Sequence, residues 1–128
     1  MDPFSVLLVD DELDFIRVLA VRLAHRGLQV RMVHTAEDGL AALADEPADV
    51  VLLDVRLPGM TGDQALEKIV ERHPHTGVVI LTGYADTETS ERLLELGAFD
   101  YLVKPVSIEE LIGRLHDAHQ ATRLRDPG

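Results

Sequence analysis

Acidic, hydroxyl and ammonium side chains directly follow short apolar runs in this chain. Asp10 and Asp11 follow the first run, Asp54 the third, Thr82 the fourth and Lys104 the fifth. Clustered carboxylates repel one another unless a cation lies between them, and Mg²⁺ binds carboxylates, water and phosphate together. A carboxylate can also act as a nucleophile and form an aspartyl phosphate. These residue types therefore predict a magnesium-assisted phosphoryl transfer, with Lys104 and Thr82 supplying a positive charge and a hydrogen bond.

Each of these residues also has a purely structural explanation. Asp11 is placed to be the N-cap of a following helix, and Thr82 is a residue type found in turns. Asp54 is harder to explain in this way, because it lies between four apolar residues and the sequence Val-Arg-Leu-Pro-Gly. Lys104 is one of only two lysines and stands between an apolar run and Pro105. Their joint placement favours a functional site over separate structural roles.

The apolar runs predict five strands separated by helices. Three of the runs are continuous, as in strands buried on both faces, whereas the second alternates with polar residues and is typical of an edge strand. The predicted strands cover 6–9, 30–33, 50–53, 78–81 and 101–103. Helical periodicity starts near Phe15, Ala65 and Ile108, and two weaker helices are predicted at about 36–45 and 86–95.

Helix-boundary residues agree with these predictions. Thr61 with Gln64, and Ser107 with Glu110, have the spacing of a capping box. Gly27 and Gly97 stand where helices would end, in the manner of glycine C-caps. We therefore expect these helices to begin and end close to the predicted positions.

This β-α order predicts an α/β fold. Strands separated by helices pair in parallel through right-handed crossovers. Five such units predict a doubly wound, five-stranded, flavodoxin-like sheet in the order 2-1-3-4-5, with five helices on its two faces. Ligands bind such sheets beyond the carboxyl ends of the strands, where the strand order reverses. The polar residues named above would converge at that edge.

Length and composition limit the classes of function. The chain has 128 residues, which corresponds to one domain, predicted over 1–120 with a tail or the start of a linker at 121–128. A formal net charge of −11 disfavours binding to nucleic acid, and the absence of cysteine excludes disulfides, thiolate metal sites and cysteine nucleophiles. No apolar run is long enough for a membrane helix, and the first residues do not resemble a signal peptide. A cytoplasmic location is expected.

Four segments carry the candidate residues in order along the chain. They read VLLVDDE from Val6, LLDVRLPGMTG from Leu52, LTGY from Leu81 and GAFDYLVKP from Gly97. Together they resemble the receiver domain of bacterial two-component response regulators, over roughly residues 5–120. The sequence around Asp54 and Thr82 most resembles receivers of the nitrogen-regulation class, which often precede an ATPase and a DNA-binding domain. The chain would then be either a stand-alone regulator or an excised N-terminal domain.

The resemblance implies the chemistry of the site. Asp54 would accept a phosphoryl group from a phosphohistidine on a sensor kinase or phosphotransfer protein. Asp10 and Asp11 would belong to the acidic pocket for Mg²⁺, with Asp11 preferred as the direct ligand. Asp54 and the backbone carbonyl of Arg56 would complete the protein ligands. Lys104 would then pair with a phosphoryl oxygen.

The resemblance also implies a conformational switch. Thr82 would move towards the phosphoryl group, Tyr101 would rotate inward, and the bond to Pro105 would be cis. The surface formed by the fourth helix, fifth strand and fifth helix would change, and partners or a second receiver would dock there. Arg56 and Tyr84 would flank the path of an attacking water and tune the phosphorylated lifetime. The chain would catalyse only its own phosphorylation and slow dephosphorylation, and would not otherwise be an enzyme.

Three other phosphate-binding classes fit the sequence less well. A P-loop ATPase requires Gly-x-x-x-x-Gly-Lys, which is absent. A flavodoxin would need a phosphate-binding loop where this chain has three acidic residues. A haloacid-dehalogenase-type phosphatase would carry an acid at the position of Arg56. The remaining alternative is a receiver-like interaction module that is never phosphorylated.

Overall fold

The computed structural model describes residues 3–83 and 86–124, in which five strands alternate with five helices. Each predicted strand and helix is present, and the strand bounds agree with the predicted ones to within one residue. In chain order the elements are β1 Ser5–Val9, α1 Leu13–His25, β2 Gln29–Val33, α2 Ala36–Asp45, β3 Val50–Leu53, α3 Gly62–Arg72, β4 Gly77–Thr82, α4 Thr87–Glu95, β5 Asp100–Val103 and α5 Ile108–Leu124.

The strands form one parallel sheet in the order β2-β1-β3-β4-β5, which confirms the predicted topology. β2 lies at one edge, as its alternating sequence indicated, and β5 lies at the other. The central strands β3 and β4 are buried along their whole length. In the register of the sheet Val9 pairs with Leu53, so β1 and β3 end side by side at the carboxyl edge.

Alternate residues of each central strand face two separate layers of helices. In β1, Val6 and Leu8 pack with α1 and α5, whereas Leu7 and Val9 pack with α2, α3 and α4. This two-residue alternation follows from the pleat of a strand, and both sets are apolar because both faces are covered. The continuous apolar runs of the sequence therefore reflect a sheet between two helical layers.

Several predicted boundary residues have the expected local role. Gly27 and Gly97 have φ angles of +89° and +118°, which glycine adopts far more readily than other residues. The Glu110 N–H donates to the Ser107 hydroxyl at 3.1 Å at the start of α5. The two glycines follow the ends of α1 and α4, and the hydrogen bond to Ser107 lies at the start of α5, as the sequence predicted.

The end of α5 differs from the prediction. The helix continues to Leu124, beyond the predicted end of the domain at residue 120. Thr122 is buried, and its hydroxyl donates to the carbonyl of Ala118, four residues earlier and also buried. Ala118 and Thr122 continue the buried face of the helix with small side chains. The spacing of large apolar residues in the sequence therefore does not show where α5 ends. No helix within residues 3–83 and 86–124 is long and apolar enough to cross a bilayer.

Candidate functional site

Asp10 and Asp54 lie side by side at the carboxyl edge of the sheet. The Asp54 N–H donates to the carbonyl of Val9 at 3.0 Å, which continues the pairing of β1 with β3. Both aspartates are buried, at 6% and 5% exposure. In each, Oδ1 accepts a hydrogen bond from the backbone N–H two residues later, from Glu12 at 2.9 Å and from Arg56 at 3.0 Å. These local bonds fix both carboxylates.

Lys104 brings an ammonium group to the second oxygen of each aspartate. Its Nζ lies 2.9 Å from Asp10 Oδ2 and 3.6 Å from Asp54 Oδ2. A third carboxylate, Glu12, contacts the same ammonium at 2.7 Å. The Lys104 side chain is only 12% exposed, so these charges interact in a partly desolvated site. The four side chains form one acidic cluster with a single counter-charge.

Burial and charge shift the pKa values of two of these groups. Burial raises the pKa of Asp10 above its ordinary value, although the hydrogen bond from the Glu12 N–H and the Lys104 ammonium act in the opposite direction. Burial alone would lower the pKa of Lys104, but its bonds to Glu12 and Asp10 and the charges of Asp10 and Asp54 raise it. Lys104 is therefore protonated at neutral pH and only partly compensates the carboxylates.

The donor set of this cluster fits a hard divalent cation. Oxygen atoms of Asp10, Glu12 and Asp54 lie within 4.8 Å of one another. Three carboxylates face one ammonium, and a divalent cation with oxygen ligands would balance the remaining charge. Asp11, predicted as the direct ligand, is exposed in the loop between β1 and α1 and is not brought into this group.

The predicted switch residues lie on the neighbouring strands. Thr82 is fully buried at the end of β4, and its carbonyl accepts a hydrogen bond from the Lys104 N–H at 2.7 Å. This bond holds the ends of β4 and β5 together next to the acidic cluster. The peptide bond between Lys104 and Pro105 is cis, as the resemblance implied. Tyr101 of β5 is half-buried and packs against the core on the α2, α3 and α4 side.

The two residues predicted to tune the lifetime differ in what the structure describes. Arg56 follows the site residue Asp54 closely, and its exposed side chain lines a groove of about 270 Å³ together with Asp63, Thr89 and Arg92. Tyr84 lies outside the described residues. The role of Arg56 as a side chain that flanks the site stays a prediction.

Two neighbours of Lys104 were not predicted as site residues. Glu12 follows the predicted pair Asp10 and Asp11 directly, so its acidity was a signal, but sequence alone does not show which of three adjacent acids turns inward. Phe15 was assigned only to the apolar stripe of α1. Its ring lies against the Lys104 ammonium, with Nζ 4.3 Å from the ring centroid. The chain distance between Phe15 and Lys104 leaves no sequence signal for this contact.

Comparison with known proteins gives the family context. Residues 6–116 match the family model for the response regulator receiver domain. The chain is 38% identical to the response regulator protein PilR of Pseudomonas aeruginosa over 128 residues, covering 99% of this chain and 28% of PilR. It is 39% identical to the DNA-binding transcriptional regulator NtrC of Salmonella typhimurium over 113 residues, covering 88% of this chain and 24% of NtrC. The chain thus spans less than a third of either relative.

Solved structures of related proteins have the same fold as this chain. A CheY-like receiver domain protein from Methanospirillum hungatei has a TM-score of 0.90 at 30% identity, covering 97% of this chain and 99% of that one. NtrX from Brucella abortus, crystallised with ADP, has a TM-score of 0.88 at 31% identity, covering 97% of this chain and 28% of that one. The similarity extends over nearly the whole chain.

Proposed function

The chain belongs to the response regulator receiver domains of bacterial two-component systems, and on that premise we propose that it is a phosphorylation-dependent switch. Asp54 accepts a phosphoryl group from a phosphohistidine on a sensor histidine kinase or phosphotransfer protein. The observation that carries the proposal is the buried Asp54 carboxylate, fixed by the Arg56 N–H and 3.6 Å from the Lys104 ammonium. A carboxylate in this setting is oriented and close to a positive charge.

The reaction is a single displacement at phosphorus. An oxygen of Asp54 attacks the phosphorus, the bond between phosphorus and the histidine nitrogen breaks, and its electron pair leaves with the imidazole. The product is an acyl phosphate, which water later hydrolyses. Lys104 pairs with a phosphoryl oxygen, and the Thr82 hydroxyl donates a hydrogen bond to another. Positioning and electrostatic stabilisation supply most of the catalysis in such transfers.

Mg²⁺ is the proposed cofactor. Asp10, Asp11, Asp54 and the backbone carbonyl of Arg56 would hold it. The observed cluster supports Asp10 and Asp54 in this set, whereas Asp11 would have to turn inward from its exposed position. When bound, the ion supplies charge neutralisation for the carboxylates and the incoming phosphoryl oxygens. Phosphorylation and hydrolysis of its own Asp54 would be the only catalysis performed by the domain.

The output is a change of surface. Thr82 moves towards the phosphoryl group and Tyr101 rotates into the core, which shifts the surface formed by α4, β5 and α5. Phosphorylation acts here as a ligand that favours one of two conformations. Partners, or a second receiver in a homodimer, dock on this surface. The net charge of −11 supports protein partners rather than nucleic acid for this domain. The proposed location of this signalling is the cytoplasm.

Arg56 and Tyr84 are proposed to prolong the phosphorylated state. Hydrolysis needs a water in line with the phosphorus, and a long side chain and an aromatic ring beside that path hinder its approach. We expect Arg56→Ala combined with Tyr84→Ala to shorten the phosphorylated lifetime, measured as first-order loss of phosphate after the donor is removed. Lys104→Ala instead impairs phosphorylation itself. An equal or slower loss in the double variant would contradict shielding by these side chains.

A titration with beryllofluoride and Mg²⁺ separates the switch from an interaction module that is never phosphorylated. Beryllofluoride occupies the place of a phosphoryl group on an aspartate. We expect the wild type to show shifted NMR signals for Thr82, Tyr101 and the α4 surface, and Asp54→Asn to show none. An unchanged wild-type spectrum at saturating beryllofluoride would support the module and contradict the switch.

A further inference from the structure

The Lys104 ammonium is enclosed by an aromatic ring as well as by carboxylates. Its Nζ lies over the ring of Phe15, 4.3 Å from the centroid. A cation over the face of an aromatic ring within about 6 Å is attracted by the ring quadrupole, most strongly where water is excluded. Lys104 is 12% exposed, so the contact is in that favourable range. The same ammonium contacts Asp10 and Glu12 at 2.9 and 2.7 Å.

The Phe15 side chain lines two different spaces. One is a small gap of about 10 Å³ that it shares with Asp10, Asp54 and Leu81, at the lower limit of the space needed by one water molecule. The other is an apolar groove of about 410 Å³ between α1 and α5. Phe15 therefore borders the two buried carboxylates of the acidic cluster as well as the groove.

We infer that Phe15 is a positioning residue for phosphorylation: its ring holds the Lys104 ammonium beside Asp54 through a cation–π contact. This inference rests on the proposed function and adds a residue to its machinery. Lys104 has a long, flexible side chain, and restricting it before the reaction lowers the cost of placing its charge on the phosphoryl group. An aliphatic side chain would fill the same space without attracting the ammonium.

The first test observes the contact directly, without metal or phosphoryl donor. The chain has two lysines, Lys68 and Lys104, so lysine labelled with ¹³C at Cε gives two signals. Protons above an aromatic face resonate upfield, so the Lys104 signal should be displaced upfield of the Lys68 signal. Phe15→Leu should abolish that displacement and leave Lys68 unchanged. A Lys104 signal that is the same in wild type and Phe15→Leu would overturn the inference.

The second test measures labelling by acetyl phosphate at fixed Mg²⁺. Phe15→Leu and Phe15→Met should each slow labelling roughly three- to tenfold, the loss expected for one partly desolvated cation–π contact. Phe15→Tyr and Phe15→Trp should keep the wild-type labelling rate, because each retains an aromatic ring and the adjacent groove has room for a larger one. Val18→Ala, in the same groove but away from Lys104, is the matched control and should label at the wild-type rate.

The outcomes separate this inference from the proposed function. Labelling of Phe15→Leu and Phe15→Met at the wild-type rate would overturn the inference alone. Labelling of Phe15→Trp and Phe15→Tyr as slow as that of the aliphatic variants would also overturn it, because the ring face would then not matter. Absence of any labelling in the wild type would overturn the proposed function and this inference together.

Discussion

At the scale of single residues, the site contains three carboxylates, and the Lys104 ammonium compensates only part of their negative charge. Asp10 is buried with a raised pKa, although it accepts the Glu12 N–H and contacts Lys104. A raised pKa means that folding disfavours the charged form, so at neutral pH this carboxylate lowers the stability of the folded chain. Sites that bind cations and transfer charged groups often carry such a cost.

Asp10→Asn should therefore stabilise the chain at neutral pH in the absence of divalent cations. The amide keeps an oxygen to accept the Glu12 N–H and removes the buried charge. The raised pKa of Asp10 sets the sign of this effect. The difference in unfolding free energy between Asp10→Asn and the wild type is complete at pH values above the pKa of Asp10 in the folded chain. The difference disappears as the pH falls below that pKa towards the ordinary value, because Asp10 then becomes neutral. Urea unfolding with EDTA at neutral and acidic pH measures this.

The exposed Asp117→Asn on α5 is the control, and its effect should stay within about 0.5 kcal/mol. A variant Asp10→Asn that is less stable than the wild type at neutral pH would show that the contact with Lys104 outweighs the cost of burial.

Asp11 and Glu12 are the two candidates for a third carboxylate ligand of the proposed Mg²⁺ ion. We expect Asp11→Ala to weaken Mg²⁺ binding by about tenfold, equal to about 1.4 kcal/mol, and Glu12→Gln to weaken it less. Asp11 is exposed, so its carboxylate can turn inward at little cost, whereas the Glu12 carboxylate is already paired with Lys104. Isothermal titration calorimetry measures both affinities. The reverse order of effects would make Glu12 the ligand.

At the scale of elements, the loop after β3 positions Asp54, and Gly62 controls how closely that loop packs. A Cβ at Gly62 would collide with Cα and the side chain of Val55, next to Asp54. Gly62→Ala should therefore destabilise the fold by about 1–3 kcal/mol, the usual cost of overpacking. Denaturant unfolding gives the value, and thermal unfolding should show the same direction.

Gly113 provides a matched control for this change. It lies in α5, and a Cβ there would meet nothing within 4 Å. Gly113→Ala should stabilise the fold by about 0.5–1 kcal/mol, because alanine has the higher helix propensity. Equal effects of the two substitutions would contradict the close approach at Gly62.

The elements were more predictable from sequence than the contacts between them. The continuous apolar runs at β3 and β4 and the glycines after α1 and α4 depend on local chemistry, so their positions followed from the sequence. The end of α5 did not, because Ala118 and Thr122 bury a face that lacks large apolar residues. The contact between Phe15 and Lys104 joins distant parts of the chain and depends on the packed geometry.

At the scale of the whole molecule, strand order creates the site. Because β1 and β3 are neighbours while their connections run to opposite sides of the sheet, Asp10 and Asp54 meet where the loops diverge. β4 and β5 then bring Thr82 and Lys104 to the same edge. The proposed phosphorylation of Asp54 would therefore act at the edge where β4 ends with Thr82 and where Lys104 follows β5, the strand that carries Tyr101.

The central claim is that Asp54 is the single phosphorylation site, and intact-mass measurement after incubation with acetyl phosphate and Mg²⁺ tests it most directly. The wild type should gain one phosphoryl group, and the gain should disappear with EDTA. Asp54→Asn, which keeps an oxygen to accept the Arg56 N–H, should gain none while unfolding cooperatively like the wild type. A gain in Asp54→Asn equal to that of the wild type would contradict the account.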